Sequence, residues 1–130
     1  MNGESIVARW SDTIHEPSPT VATEVRRALR ELLVRWGMTD EVLADALLIV
    51  EEFVANVIDH ARTGFHITVE RGGEVLRLAV RDHSDRPAVV KAFDPAAARG
   101  RGLQLVTAVA DSWGCDWHPN GKTVWASLAA

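Results

Sequence analysis

Glu52 and Asn56 stand four residues apart in the stretch EEFVANVIDHA. On a helix that spacing stacks them on one face. A carboxylate there could take a hydroxyl proton during phosphoryl transfer. Together with the amide oxygen it could instead address a magnesium-bound phosphate, since Mg²⁺ takes oxygen ligands and keeps several waters. Taken alone, such residues more often form an ordinary solvated helix face. Gly100-x-Gly102 is more pointed, because glycines let a phosphate approach the backbone and free N–H groups at a helix start favour anions. It is not a Walker loop, which needs a following Lys-Ser/Thr, and a lone GxG also suits a plain turn. The five histidines show no HxH or HxxxH spacing, so no metal site is expected from them. Cys115, the single cysteine, has no lysine, arginine or histidine beside it in sequence and reads as a packed strand residue.

These residues need elements to hold them. Ile6, Ala8 and Trp10 alternate as a weak first strand. Ser18 and Pro19 read as an N-cap and first helical residue, and Gly37 as the stop. Between them Val25, Leu29, Leu32 and Leu33 form an apolar stripe, opposite a solvated row of Arg26, Arg27, Arg30 and Arg35. Asp40 is expected to cap a second helix running to about Arg62, with Glu52 and Asn56 away from its apolar face. Gly72-Gly73 predicts a hairpin pairing Val69 with Leu76, Ile67 with Leu78 and Phe65 with Val80. Asp82 shares the parity of Leu76, Leu78 and Val80, so an acid emerges on the buried side and should have a partner there. Residues 84–99 form a long connection, with Asp94-Pro95 as the start of a short helix. Gly100-Arg101-Gly102 opens another helix, which Trp113-Gly114 closes. An Asn120-Gly121 turn then joins two last strands. The order strand, helix, helix, strand, strand, lid, helix, strand, strand implies an α+β two-layer sandwich: a mostly antiparallel mixed sheet with helices on one face.

Composition narrows the function classes. A chain of 130 residues is expected to be one domain, 1–130, and to bury roughly two-thirds of its unfolded surface without staples. One cysteine excludes an internal disulfide framework. Fourteen basic and 18 acidic residues give a net charge of −4, with no electrostatic footprint for nucleic acid. No signal-peptide pattern or run of about 20 apolar residues is visible, so a cytoplasmic chain without membrane contact is expected.

Taken in order, EEFVANVIDHA (51–61), VRDHSDRP (80–87), GRGLQLV (100–106) and GKTVWASL (121–128) resemble the histidine-kinase-like ATPase superfamily. The likeness is strongest to its small bacterial branch, the anti-sigma-factor serine kinases. That resemblance implies ATP and Mg²⁺ as ligands, and a role for each matching residue. Glu52 matches the general base that takes the proton of a substrate serine. Asn56 matches the asparagine that holds Mg²⁺ against the triphosphate. Asp82 matches the acid that recognises the adenine amine. Gly100 and Gly102, with Arg101 and Leu103 beside them, match the second glycine box at the phosphates, and residues 84–99 match the ATP lid. The implied partners are a sigma factor and an anti-sigma-factor antagonist, and the resemblance allows a homodimer. The chain departs from the family twice. Asp82-His83-Ser84-Asp85-Arg86 stands where relatives have Asp-x-Gly-x-Gly. Lys122 stands where many relatives carry a threonine that supports adenine recognition, and Thr123 beside it has the opposite strand parity. The departures leave a second reading, a non-catalytic module that sequesters a transcription regulator with ATP as a structural ligand or without it.

Overall fold

Ser18 and Pro19 start the first helix, as their types predict. The Ser18 hydroxyl accepts the Val21 N–H, and α1 (Pro19–Arg35) runs until Gly37, whose φ of 73° ends it. The second helix is capped one residue earlier than expected. Thr39, not Asp40, is extended and accepts the Val42 N–H through its hydroxyl at 3.2 Å. Asp40 and Glu41 fall instead in the first turn of α2 (Asp40–Asn56), where the helix dipole favours acids. A π-helical turn, Val57–Ala61, continues α2 and stops at Arg62, the one non-glycine residue with positive φ (55°) among the described residues.

The structure, a computed structural model, describes residues 6–84 and 101–130. The strands are β1 (Ile6–Ile14), β2 (Phe65–Gly72), β3 (Val75–Asp82), β4 (Ser112–His118) and β5 (Gly121–Ala129), with α3 (Arg101–Val109) before β4. They form one sheet in the order β1-β2-β3-β5-β4. Every neighbouring pair is antiparallel, so the sheet is antiparallel throughout and not mixed.

Both hairpin turns lie one residue from their expected places. Gly72 pairs with Val75, leaving Gly73-Glu74 as the turn, with Gly73 at φ 56° where such turns want positive φ. The register is therefore Val69 with Leu78, Ile67 with Val80 and Phe65 with Asp82. This differs by two residues from the expected pairing, and because strand side chains alternate with period two, the buried face is unchanged. At the other hairpin His118 pairs with Gly121, so Pro119-Asn120 make the turn and Gly121 belongs to β5. α3 ends at Val109, before Trp113-Gly114, because the Asp111 N–H already bonds to Ser127 O and leads the chain into the sheet.

Phe65, Ile67 and Val69 of β2, Leu76, Leu78 and Val80 of β3, and Ala126 and Leu128 of β5 are buried on one face of the sheet. Leu29 and Leu33 of α1, Ile49, Val50, Phe53 and Val54 of α2, and Val106 of α3 cover it. Each such large side chain contributes roughly 1.5–3 kcal/mol over remaining exposed. The expected arginine row on α1 is exposed. Among the described residues no helix is long and apolar enough to cross a membrane.

Candidate functional site

α2 carries Glu52 and Asn56 one turn apart, both half-buried. Neither side chain makes a hydrogen bond or ion pair among the described residues. Burial raises the Glu52 pKa above its ordinary 4.5, and the neighbouring Glu51 charge adds to the effect. A carboxylate in that position holds a proton more readily than one in water. The helix changes character immediately after Asn56. Its wider π turn closes with the Arg62 N–H on Val57 O at 2.7 Å, a geometry often found at functional sites.

Thr63 ties this end of α2 to the end of β3. Its hydroxyl accepts the His83 N–H at 3.0 Å and donates to Gly64 O at 2.8 Å. Residues 59–63 of the helix end therefore share one cleft with His83 and Ser84.

Asp82, the last residue of β3, is 2% exposed, so the expected buried acid is present. The partner it requires is Lys122, itself 7% exposed and directly opposite on β5. Lys122 Nζ donates to Asp82 Oδ2 at 2.6 Å, and the Ser84 backbone N–H donates to Oδ1 at 2.9 Å. Gly121 makes the approach possible, because a Cβ there would collide with the Asp82 carbonyl oxygen.

Arg101 begins α3, with Gly102 and Leu103 in its first turn, so the expected helix opening is present. α3 packs beside α2 and buries Val106 completely. Gly100 and residues 85–99, including the short helix expected at Asp94, lie outside the described residues. Cys115 lies in the middle of β4 opposite Val124, and burial pushes its thiol pKa up, as suits a packed residue. His66 and His118 are hydrogen-bonded to Thr13 and Thr123, at 2.7 and 2.8 Å.

Lys122 is the residue that sequence reasoning left out of the site. Its parity with Val124, Ala126 and Leu128 was the available signal, since a lysine on the buried face of a strand needs an acid within reach.

Among the solved structures that share the fold, two align over nearly the whole of this chain. The chain covers 32% of a chain comprising the RsbU and RsbW domains of Rv1364c from Mycobacterium tuberculosis, with 95% of its own length aligned, 19% identity and a TM-score of 0.74. It thus spans about a third of the length of that chain. Against a structure of the SiaB-SiaC complex from Pseudomonas aeruginosa, 95% of this chain and 89% of that one align, at 14% identity and a TM-score of 0.69. No curated protein matches the chain in sequence. Residues 16–128 match the histidine kinase-like ATPase domain, a span that takes in Glu52, Asn56, Asp82 and the start of α3. The chain belongs to the histidine kinase-like ATPase domain family.

Proposed function

We propose that the protein binds ATP with magnesium and acts as a serine kinase of the anti-sigma-factor type, binding a sigma factor and phosphorylating a serine of an antagonist protein. The observation that carries this reading is Glu52: half-buried, unpartnered among the described residues, raised in pKa, and one turn from an equally unpartnered Asn56. The RsbW domain and SiaB-SiaC structures support it as fold relatives.

The residues present fit the ligands. Asp82 offers a buried carboxylate for an exocyclic amine, and an anion near Gly102 would meet the N-terminal turn of α3. Among the described residues no three His, Cys, Asp or Glu side chains form a metal site. Magnesium would therefore be held by phosphate oxygens together with the Asn56 amide oxygen, a donor that suits it. When bound it would neutralise phosphate charge. Glu52 would accept the proton of the attacking serine hydroxyl, and its raised pKa makes that transfer more favourable.

The test is a phosphorylation assay with a candidate antagonist, comparing the parent with Glu52→Ala. General-base assistance is worth about 10²–10⁴-fold, so turnover should fall by that factor while ATP affinity changes little. Transfer as fast as the parent's would return Glu52 to a solvated helix face.

One observation favours the second reading, a regulator that sequesters its partner without catalysis. Both Asp82 oxygens are already engaged, by Lys122 and by the Ser84 N–H. Nucleotide binding without phosphate transfer would select it.

A further inference from the structure

Asp82 and Lys122 are ladder partners on β3 and β5, and both are nearly excluded from solvent. A carboxylate has about four acceptor positions and an ammonium three donors. Lys122 Nζ and the Ser84 N–H take two of the acceptors, and the Asp82 contact takes one donor. Among the described residues Lys122 Nζ has no other hydrogen bond, so the pair retains about two acceptor positions and two donors. Ser84, bonded to Asp82 Oδ1, also lines the cleft at the end of α2.

A buried carboxylate by itself selects a base edge that presents an N–H. It accepts the 6-amine of adenine and repels the 6-carbonyl of guanine or hypoxanthine, whose oxygen would face it unpaired. An ammonium 2.6 Å from Oδ2 removes that repulsion by supplying the missing donor. Adenine presents a donor amine beside an acceptor ring nitrogen. Guanine presents an acceptor carbonyl beside a donor ring N–H, with a second donor on its 2-amine. A carboxylate and an ammonium side by side satisfy either order, the acid taking the donor and the lysine the acceptor. The ion pair need not break for this, because each partner keeps spare capacity.

We propose that Lys122 is a specificity-determining residue of the nucleotide site, and that with Asp82 it admits 6-keto purine nucleotides of the guanine type as well as the 6-amino purine of ATP. The proposal rests on the reading of Asp82 as the base-recognising group.

The experiment is calorimetric titration of the whole chain with ATP and with GTP, each with magnesium. The unmutated protein should bind the two within about tenfold of each other, and Lys122→Thr should lose GTP relative to ATP by roughly tenfold or more. Lys122→Arg, which keeps the donors, should still bind GTP. ATP binding about a hundredfold tighter than GTP in the unmutated protein would overturn the proposal and leave the ATP reading intact. An unchanged ratio in a folded Lys122→Thr would do the same. If that variant does not fold, the unmutated protein and Lys122→Arg still decide. Binding of neither nucleotide would end both the proposal and the reading of Asp82.

Discussion

Glu51 and Glu52 are neighbours on α2 in opposite circumstances. Arg26 Nη1 of α1 lies 2.8 Å from the Glu51 carboxylate, whereas Glu52, about 100° further round the helix, has no such partner among the described residues. Burial and the Glu51 charge both disfavour ionisation of Glu52, so its pKa in the folded chain lies above the ordinary 4.5. A carboxyl shifted this way supports the folded state at low pH, and that support is lost as pH rises through the raised value. Glu52→Gln removes the ionisation. Its melting temperature should exceed the parent's at pH 7, and the gain should vanish below about pH 4. A gain that persists at low pH would assign the effect to packing.

Asn56→Ala should separate from Glu52→Ala. A proton acceptor acts in the transition state, whereas a group that anchors magnesium and triphosphate acts in the ground state as well. Asn56→Ala should therefore weaken ATP binding and slow serine phosphorylation together. Titration and single-turnover transfer on both variants check this. An Asn56 variant with parental ATP affinity would remove the amide from the metal site.

The Asp82–Lys122 pair should behave as a buried ion pair in stability measurements. Their side chains are 3% and 9% exposed. Removing one partner leaves an uncompensated charge, so Lys122→Met should cost about 3–5 kcal/mol in urea unfolding. Replacing both, Asp82→Leu with Lys122→Met, should recover part of that loss, since the apolar pair carries no charge desolvation cost although the Ser84 N–H loses its acceptor. Additive losses in the double variant would show that the two charges do not interact.

Gly121→Ala should destabilise by more than ~1 kcal/mol, because the new methyl would meet the carbonyl oxygen of Asp82. Gly37→Ala is the comparison. Gly37 has a positive φ of 73°, but a methyl group added there would meet nothing within 4 Å, so its loss is confined to backbone strain. Gly121 also has a positive φ, 153°, so the amount by which its loss exceeds that of Gly37→Ala reports the collision, and denaturation midpoints measure it.

Much of this arrangement was legible in the residues. The 3.6-residue stripe from Val25 to Leu33 and the period-two stripe from Leu76 to Asp82 each define a buried face, since burying apolar area dominates the energy of both elements. Turn positions were less legible. Gly72-Gly73 and Asn120-Gly121 each allow two placements of a tight turn, and the choice is made by the ladder beyond it. Thr39 and Asp40 can both cap a helix, and only the backbone at position 39 shows which does. The π turn after Asn56 has no composition signal at all. Lys122 escaped because the family resemblance points to a threonine at that place, and the threonine nearest to it here, Thr123, belongs to the other face of β5.

The strand order has a consequence for how the protein is made. β5 follows β4 in the chain but lies between β3 and β4 in the sheet. While the polypeptide is being synthesised, β3 must keep a bare edge until residues 121–129 have left the ribosome. Bare edges recruit foreign strands, so this interval is when the nascent chain is most open to mispairing. Asp82 stands on that edge without its countercharge for the same interval, and a carboxylate that remains hydrated resists burial in a wrong partner.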